Sequence, residues 1–434
     1  MNPLRVAVVG AGWAGIAAAV HARKAGHEVH VFEMAPQAGG RARTVNVSGH
    51  TLDNGQHILI GAYRATLELM GEIGADTSSL LHRMPLALQY PDGQGLRLRA
   101  GPPVPAFVRA VLARHGWSLS DRLSLLAISA RWAAQRFQCA EHLSVAELCI
   151  KLPAVVRAQL VEPLCVAALN TPASQASAQV FLRVLRDALL SGPGSSDLLL
   201  PRVPLGALLP QPALAWFEAH AVRLHTTARV SALQRVAAGW QVDEQQPFDA
   251  VVLASSAAEA ARLCARLAPQ WAATAAGMRY EPIVTLYLHC PGARLALPMT
   301  ALHADARAPA QFAFDLGALG TAADVFAFVI SGAGSWVERG LDHTAQATLA
   351  QARTAFPPGT WPQAPALLHV AAEKRATFAC TPGLQRPPAR LAPGLWAAGD
   401  YVAGPYPATL EGAVLSGRFA ARHLAAPPLE HYRK

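Results

Sequence analysis

The chain has 434 residues, enough for about two or three domains, and 52% of them are apolar, which excludes wholesale disorder and supplies a large core. Its net charge is +9, yet it contains only four lysines (Lys24, Lys151, Lys374 and Lys434) and no run of five basic residues. A thin, arginine-rich excess speaks against nucleic acid and leaves an anionic membrane surface open. Cys139, Cys149, Cys165, Cys264, Cys290 and Cys380 form no C-x-x-C and no zinc spacing, so they read as buried thiols, with no metal site expected. Met1-Asn2-Pro3 runs straight into apolar sequence, and no stretch of 18 uncharged apolar residues occurs. A cytoplasmic protein without a spanning helix is the expectation, with peripheral contact at the inner membrane left open.

Val6–Val9 is a short apolar run, followed by Gly10-Ala11-Gly12-Trp13-Ala14-Gly15, a helical pattern from Ile16 to Ala25, and a second strand Val29–Phe32 closed by Glu33. Strand, G-x-G-x-x-G, helix, strand and acid within about thirty residues is the dinucleotide fingerprint. Gly10 permits the turn, Gly12 lets a pyrophosphate approach the backbone, and Gly15 lets the helix pack on the sheet. The first-turn N–H groups at Trp13 and Ala14 face the anion. Glu33 can accept hydrogen bonds from both ribose hydroxyls. The doublet Gly39-Gly40 followed by Arg41 and Arg43 suits a larger, bent dinucleotide whose phosphates need close backbone and positive charge.

Thr51 to Gly61 reads as a strand end, a turn at Asp53-Asn54-Gly55-Gln56-His57, and an apolar segment. These residues together resemble the N-terminal half of the FAD-dependent amine oxidase and phytoene desaturase superfamily. That resemblance implies FAD as cofactor and places the turn at Gly55 and Gln56 against the flavin ring, where His57 is the candidate proton donor. A helix follows over about 62–75, then a hairpin over 86–99 around Pro91-Asp92-Gly93.

From Pro102 to about Leu190 the spacing predicts a mostly helical block without nucleotide motifs. The Pro-rich apolar stretch from Leu198 to Pro212 rules out a regular helix, and is either the apolar rim of a lipid tunnel or a buried connection. A short helix from Ala213 to Ala221 precedes a strand ending at Val230, whose backbone N–H and C=O the resemblance assigns to the adenine. Phe248–Ser255 is a further apolar strand, and an Ala-rich helix runs to about Ala276. Alternation over 280–385 predicts a mixed or antiparallel sheet. Gly332-Ala333-Gly334 lacks the third glycine and a strand closed by an acid, so it is not a second nucleotide site, and no NAD(P)H domain is expected.

Gly394–Tyr401 reads as a strand ending in Gly399-Asp400, then a turn, then a helix from Thr409 with Gly412, Ala413, Ser416 and Gly417 on one face. Asp400 suits ribityl hydroxyls, and the helix start at Thr409 and Leu410 can aim N–H groups at the flavin C2 oxygen. The expected architecture is α/β: a discontinuous Rossmann-like FAD-binding domain (1–85, 213–276, 390–434) with an inserted α+β substrate domain (86–212, mostly helical, and 277–389, a mixed sheet).

More narrowly, the segments 53–64, 200–205 and 398–417 resemble the hydroxysqualene dehydroxylase family, also called squalene-associated FAD-dependent desaturases. That resemblance implies a bacterial enzyme of hopanoid precursor synthesis that converts hydroxysqualene to squalene. Its partners would be a hydrophobic isoprenoid substrate and an external electron donor or reductase. A carotenoid-type desaturase, an amine oxidase and a non-catalytic prenyl-lipid carrier of the same fold are the rival readings.

Overall fold

The computed structural model describes residues 2–425. Six strands form the central sheet in the order 223–225, 28–32, 5–9, 250–253, 395–397, 390–392. The first five run parallel, and the last is antiparallel to its neighbour. Val6 pairs with Ala250 and Val29, and Val9 with Leu253 and Phe32. Both central strands are buried almost throughout, which is why they read as unbroken apolar runs rather than alternating ones.

Helix Trp13–Lys24 covers one face of this sheet, and helix Leu410–Arg422 lies against it. Both contacts are backbone-close. A Cβ on Gly15 would fall 1.9 Å from the Gly10 carbonyl oxygen, and one on Gly417 would fall 2.1 Å from that of Ala14. Glu411 ties the same C-terminal helix to a third helix, Arg64–Glu72. Its buried carboxylate accepts from Ala65 N–H (3.0 Å), Thr66 N–H (2.9 Å) and Thr66 Oγ1 (2.7 Å), supplying partners for open N–H groups of that helix's first turn.

A second, antiparallel sheet has the order 299–301, 312–315, 325–330, 280–289, 366–378. Alternation divides its two faces. Phe326, Phe328 and Ile330 pack with Trp336 and Ala345, whereas Val325, Ala327 and Val329 join Phe312 and Phe314 on the opposite side. Over that second face lie helices Pro103–Leu112, Leu119–Ala134, Glu162–Leu169 and Ala178–Leu190. A π-helical turn, Arg157–Val161, leads into the third of these. That helix ends at Asn170 in the left-handed conformation (φ 50°), whose side chain donates to Thr377 Oγ1 (2.9 Å) and accepts from Gly332 N–H (2.6 Å). One asparagine thereby ends a helix and fastens the helical block to the sheet.

The Pro-rich stretch is more ordered than its composition suggests. Leu198–Pro201 is the buried middle strand of a small antiparallel sheet, between Leu59–Ile60 and Leu81–Met84. Two helices follow, Leu205–Leu208 and Pro210–Ala219, so the expectation that no regular helix forms here is corrected. Pro204 precedes the first helix and Pro210 opens the second, positions where a missing N–H leaves no intrahelical bond unmade. Two further corrections are small. The expected Ala-rich helix is two, Ala257–Cys264 and Pro269–Ala276, and the strand before Val230 is only Arg223–His225, because Thr227 takes a left-handed conformation.

Candidate flavin site

The site begins where the parallel strands end. Gly10 N–H donates to the Phe32 carbonyl (2.7 Å), and Gly39 N–H donates to that of Ala11 (2.9 Å). The Gly39-Gly40 turn is thus fastened by backbone to the first glycine motif. Its φ angles of 118° and 62° lie where side chains strain, which explains why both residues are glycine. A Cβ on Gly12 would meet nothing nearer than the Gly40 Cα at 3.8 Å, so the two bare backbones face each other across an open cradle. Buried Glu33 sits beneath, accepting from Ala11 N–H (2.7 Å) and Ala35 N–H (2.8 Å).

Arg41 reaches from this turn to the other end of the sequence. It donates to Asp400 Oδ1 (2.6 Å) and to the Ala376 carbonyl (2.6 Å). The nearby carboxylate holds the guanidinium charged against the desolvation it suffers. Gly399 N–H donates to Ser416 Oγ (2.8 Å), and Thr409 Oγ1 caps the C-terminal helix by accepting from Gly412 N–H (3.1 Å). Residues separated by more than 350 positions therefore meet at one mouth, as the bracketing of the chain by two half-motifs predicts.

Gly10, Gly12, Glu33, Gly39, Gly40, Arg41, Gly399 and Asp400 line a single cavity of about 1170 Å³. Trp13, Ala14, Gln56, His57, Val230, Thr409 and Leu410 line it too, so the sequence-predicted site residues are brought together; Gly15 stands apart, behind the wall in the helix–sheet contact. The Val230 carbonyl already accepts from Arg262 Nη2 (2.8 Å), which fixes this loop beside helix Ala257–Cys264. Trp13 Nε1 and Tyr401 Oη are buried, and neither finds a partner among the described residues. Two orphan polar atoms and a cradle of bare glycine backbone beside an acid are what a bound dinucleotide would complete.

His57 donates from Nδ1 to the Gly55 carbonyl (2.9 Å), since a carbonyl oxygen can only accept. Nε2 is therefore the nitrogen left for a proton exchanged with a ligand. Burial lowers its pKa below the ordinary 6.5, and the Arg41 charge pushes the same way. Asp53, whose Oδ1 accepts from Leu205 N–H (2.9 Å) and Thr44 Oγ1 (3.2 Å), moves oppositely: burial pushes its carboxyl up to about 6.

Beyond the flavin end the cavity turns apolar. Its walls are Leu88, Phe107, Leu125, Trp132, Phe137, Leu160, Val161 and Leu164 from the hairpin and helices, facing Ile283, Met299, Phe312, Phe314 and Val329 from the antiparallel sheet. In sequence these are ordinary apolar residues of a hairpin, a helical block and a sheet. Only the meeting of two separate segments reveals that they enclose space.

A family model for flavin containing amine oxidoreductases matches residues 13–425. The chain belongs to that family. FAD is accordingly its cofactor. The chain is 33% identical over 274 residues to a hydroxysqualene dehydroxylase of Rhodopseudomonas palustris, covering 59% of this chain and 63% of that protein. A second hydroxysqualene dehydroxylase, from Sinorhizobium fredii, is 29% identical over 60% of this chain and 64% of its own length. The alignments thus span somewhat less than two thirds of these relatives. A zeta-carotene desaturase of Zea mays matches only 18% of the chain, at 38% identity. Among solved structures, an oxidoreductase from Methanosarcina mazei superposes with TM-score 0.74 at 15% identity, covering 96% of this chain and 99% of that one. Cyclohexylamine oxidase from Brevibacterium oxydans gives 0.66 at 17% identity, covering 98% and 99%. At those identities the likeness is one of fold, and it bears out the α/β architecture.

Proposed function

We propose that this flavoprotein is a reductive dehydroxylase of a C30 isoprenoid alcohol, converting hydroxysqualene to squalene in hopanoid precursor synthesis. The observation that carries the reading is the cavity itself. It runs without interruption from the dinucleotide cradle into walls of leucine, valine and aromatic side chains, in a chain related to hydroxysqualene dehydroxylases. Such walls suit a long hydrocarbon.

Bound and reduced, FAD supplies hydride. In the proposed assignment Gly12, Gly39 and Gly40, with the first-turn N–H groups of Trp13 and Ala14, hold its phosphates, Glu33 the ribose, Val230 the adenine and Asp400 the ribityl chain. Gly55 and Gln56 border the ring, and Thr409 and Leu410 present the start of a helix, where negative charge is stabilised. Loss of an alcohol as water requires one proton. His57 is the proposed donor, from Nε2 once that atom is protonated. Burial makes the protonated form scarce at neutral pH and a stronger acid when formed. The apolar walls exclude water that would otherwise capture a cationic substrate carbon.

Residues 86–212 and 277–389 are the proposed substrate-binding part. The helical side also offers a route for lipid. Val104, Ala130, Ala133 and Leu190 are exposed and line the cavity, and Leu119 and Leu123 extend the apolar surface along one helix. Peripheral contact with a bilayer at this rim, and reduction by a separate donor, complete the proposal.

Anaerobic incubation of the flavin-reduced protein with hydroxysqualene, followed by lipid extraction, tests it. Squalene is the expected product. Unchanged alcohol would overturn the reading, as would a desaturated product formed from a hydrocarbon by the oxidised protein.

A further inference from the structure

Helix Ala178–Leu190 gives the cavity an almost wholly apolar wall of Phe181, Val184, Leu185, Ala188 and Leu189, and in the midst of it stands Asp187. Arg183, one turn earlier, donates from Nε to Asp187 Oδ2 (2.9 Å). The Tyr406 hydroxyl donates to that same oxygen (2.7 Å) and accepts from Arg183 Nη2 (2.8 Å), while the guanidinium lies over the Tyr406 ring at 4.7 Å. Asp187 and Tyr406 both line the cavity. The cluster stands at the flavin end, because Tyr406 comes three residues before the helix cap Thr409 and shares its surroundings with Tyr63.

Two features of this cluster exceed what a fastening between helix and loop requires. Two of the three hydrogen bonds converge on Oδ2, the third joins Arg183 to the Tyr406 hydroxyl, and Asp187 Oδ1 has no partner among the described residues. Desolvating a carboxylate and a guanidinium in an apolar wall is costly, and apolar side chains would join the two elements at lower cost. The charges also offset each other, so the free oxygen favours a neutral donor over an ammonium group.

We propose that Asp187, held in place by Arg183 and Tyr406, is the binding site for the hydroxyl group of the alcohol substrate. The alcohol O–H donates to Asp187 Oδ1, which orients the carbon bearing it at the flavin end while the chain extends along the apolar walls. The hydrocarbon product has nothing to donate and is released in preference to the substrate. The inference rests on the dehydroxylase reading and names the group that selects its substrate; Arg183 and Tyr406 act through Asp187 and are positioning residues.

The test uses holoenzyme carrying Asp187→Asn, Asp187→Ala or Tyr406→Phe. KM for hydroxysqualene is measured alongside the competitive inhibition constant of squalene, with flavin content and thermal midpoint recorded for each variant. Asp187→Ala is expected to raise KM for the alcohol roughly 10-fold to 100-fold, the range for a hydrogen bond to a charged group, and to leave the squalene constant within about 2-fold. Tyr406→Phe, which keeps the Arg183–Asp187 pair, is expected to show the same selectivity change at smaller size. An unchanged ratio of the two constants in flavin-loaded Asp187→Ala or Tyr406→Phe would overturn the proposal, as would tighter binding of a long-chain amine than of the alcohol by the parent protein. If the parent protein fails to convert hydroxysqualene, the dehydroxylase reading falls; titrating its flavin signal with alcohol and with squalene still decides whether Asp187 prefers a hydroxyl.

Discussion

Replacing Gly417 by alanine isolates the contact that joins the two ends of the chain. In an open helix interior the change is favourable by roughly 1 kcal/mol, because alanine loses less backbone entropy on folding. Here the new methyl would stand 2.1 Å from the Ala14 carbonyl oxygen and 3.0 Å from both the Ala14 carbonyl carbon and Ala18 N. All three are backbone atoms of another helix, so no side chain can swing away. The helices must separate by about 1 Å, an overpacking typically worth ~1–3 kcal/mol and more against rigid backbone. The net expectation is a loss of up to about 2 kcal/mol after the propensity gain of roughly 1 kcal/mol is subtracted. Because Ala14 belongs to the first turn of the fingerprint helix, FAD affinity should fall with stability, by roughly tenfold for each 1.4 kcal/mol that reaches the site. Gly71→Ala is the control, since its Cβ would meet nothing within 4 Å. It should be neutral or stabilising by up to ~1 kcal/mol. Chemical denaturation of both variants and equilibrium flavin titration of the apoproteins provide the comparison. If Gly417→Ala matched Gly71→Ala in both measurements, the claimed close approach of the two helices would be wrong.

Asp53→Asn should stabilise the protein at pH 7, because both of its hydrogen bonds go to Oδ1, which an amide retains, while a buried charge is removed. The folded carboxyl, at about 6, lies above its ordinary 3.8, so protonation favours the folded state. Asp53 therefore contributes most below pH 4, and that contribution, of order 2–3 kcal/mol, is lost as pH rises to 6; denaturation across this window should lose the slope in the variant. His57→Ala should abolish turnover while flavin is retained. In the parent protein the rate should rise as pH falls through a value below 6.5, and an identical pH profile in parent and variant would remove His57 from the proton step. Arg41→Ala and Asp400→Ala should each weaken FAD binding, and the double variant should be less impaired than the sum by about 1–3 kcal/mol, read from a double-mutant cycle of flavin affinities. Strict additivity would mean that the 2.6 Å pair does not act as a unit.

Local features of this chain carry much of the candidate cofactor site. The fingerprint from Gly10 to Glu33, the Gly39-Gly40 doublet and Gly399-Asp400 are legible because each answers a local need: a turn, a bare backbone, an acid at a strand end. Strand alternation over 325–330 likewise announces a two-faced sheet, since side-chain direction follows from backbone geometry alone. The tertiary structure decided what no spacing encodes. That Arg41 would grip Asp400, that Tyr406 would share a carboxylate oxygen with Arg183, and that Glu411 would cap a helix some 345 residues away depend on pairings between distant segments. The same holds for the cavity. Leu160 and Phe314 look like any core residue in sequence, and only the gap left between a helical layer and a sheet, each closed by its own packing, turns them into the walls of a cavity.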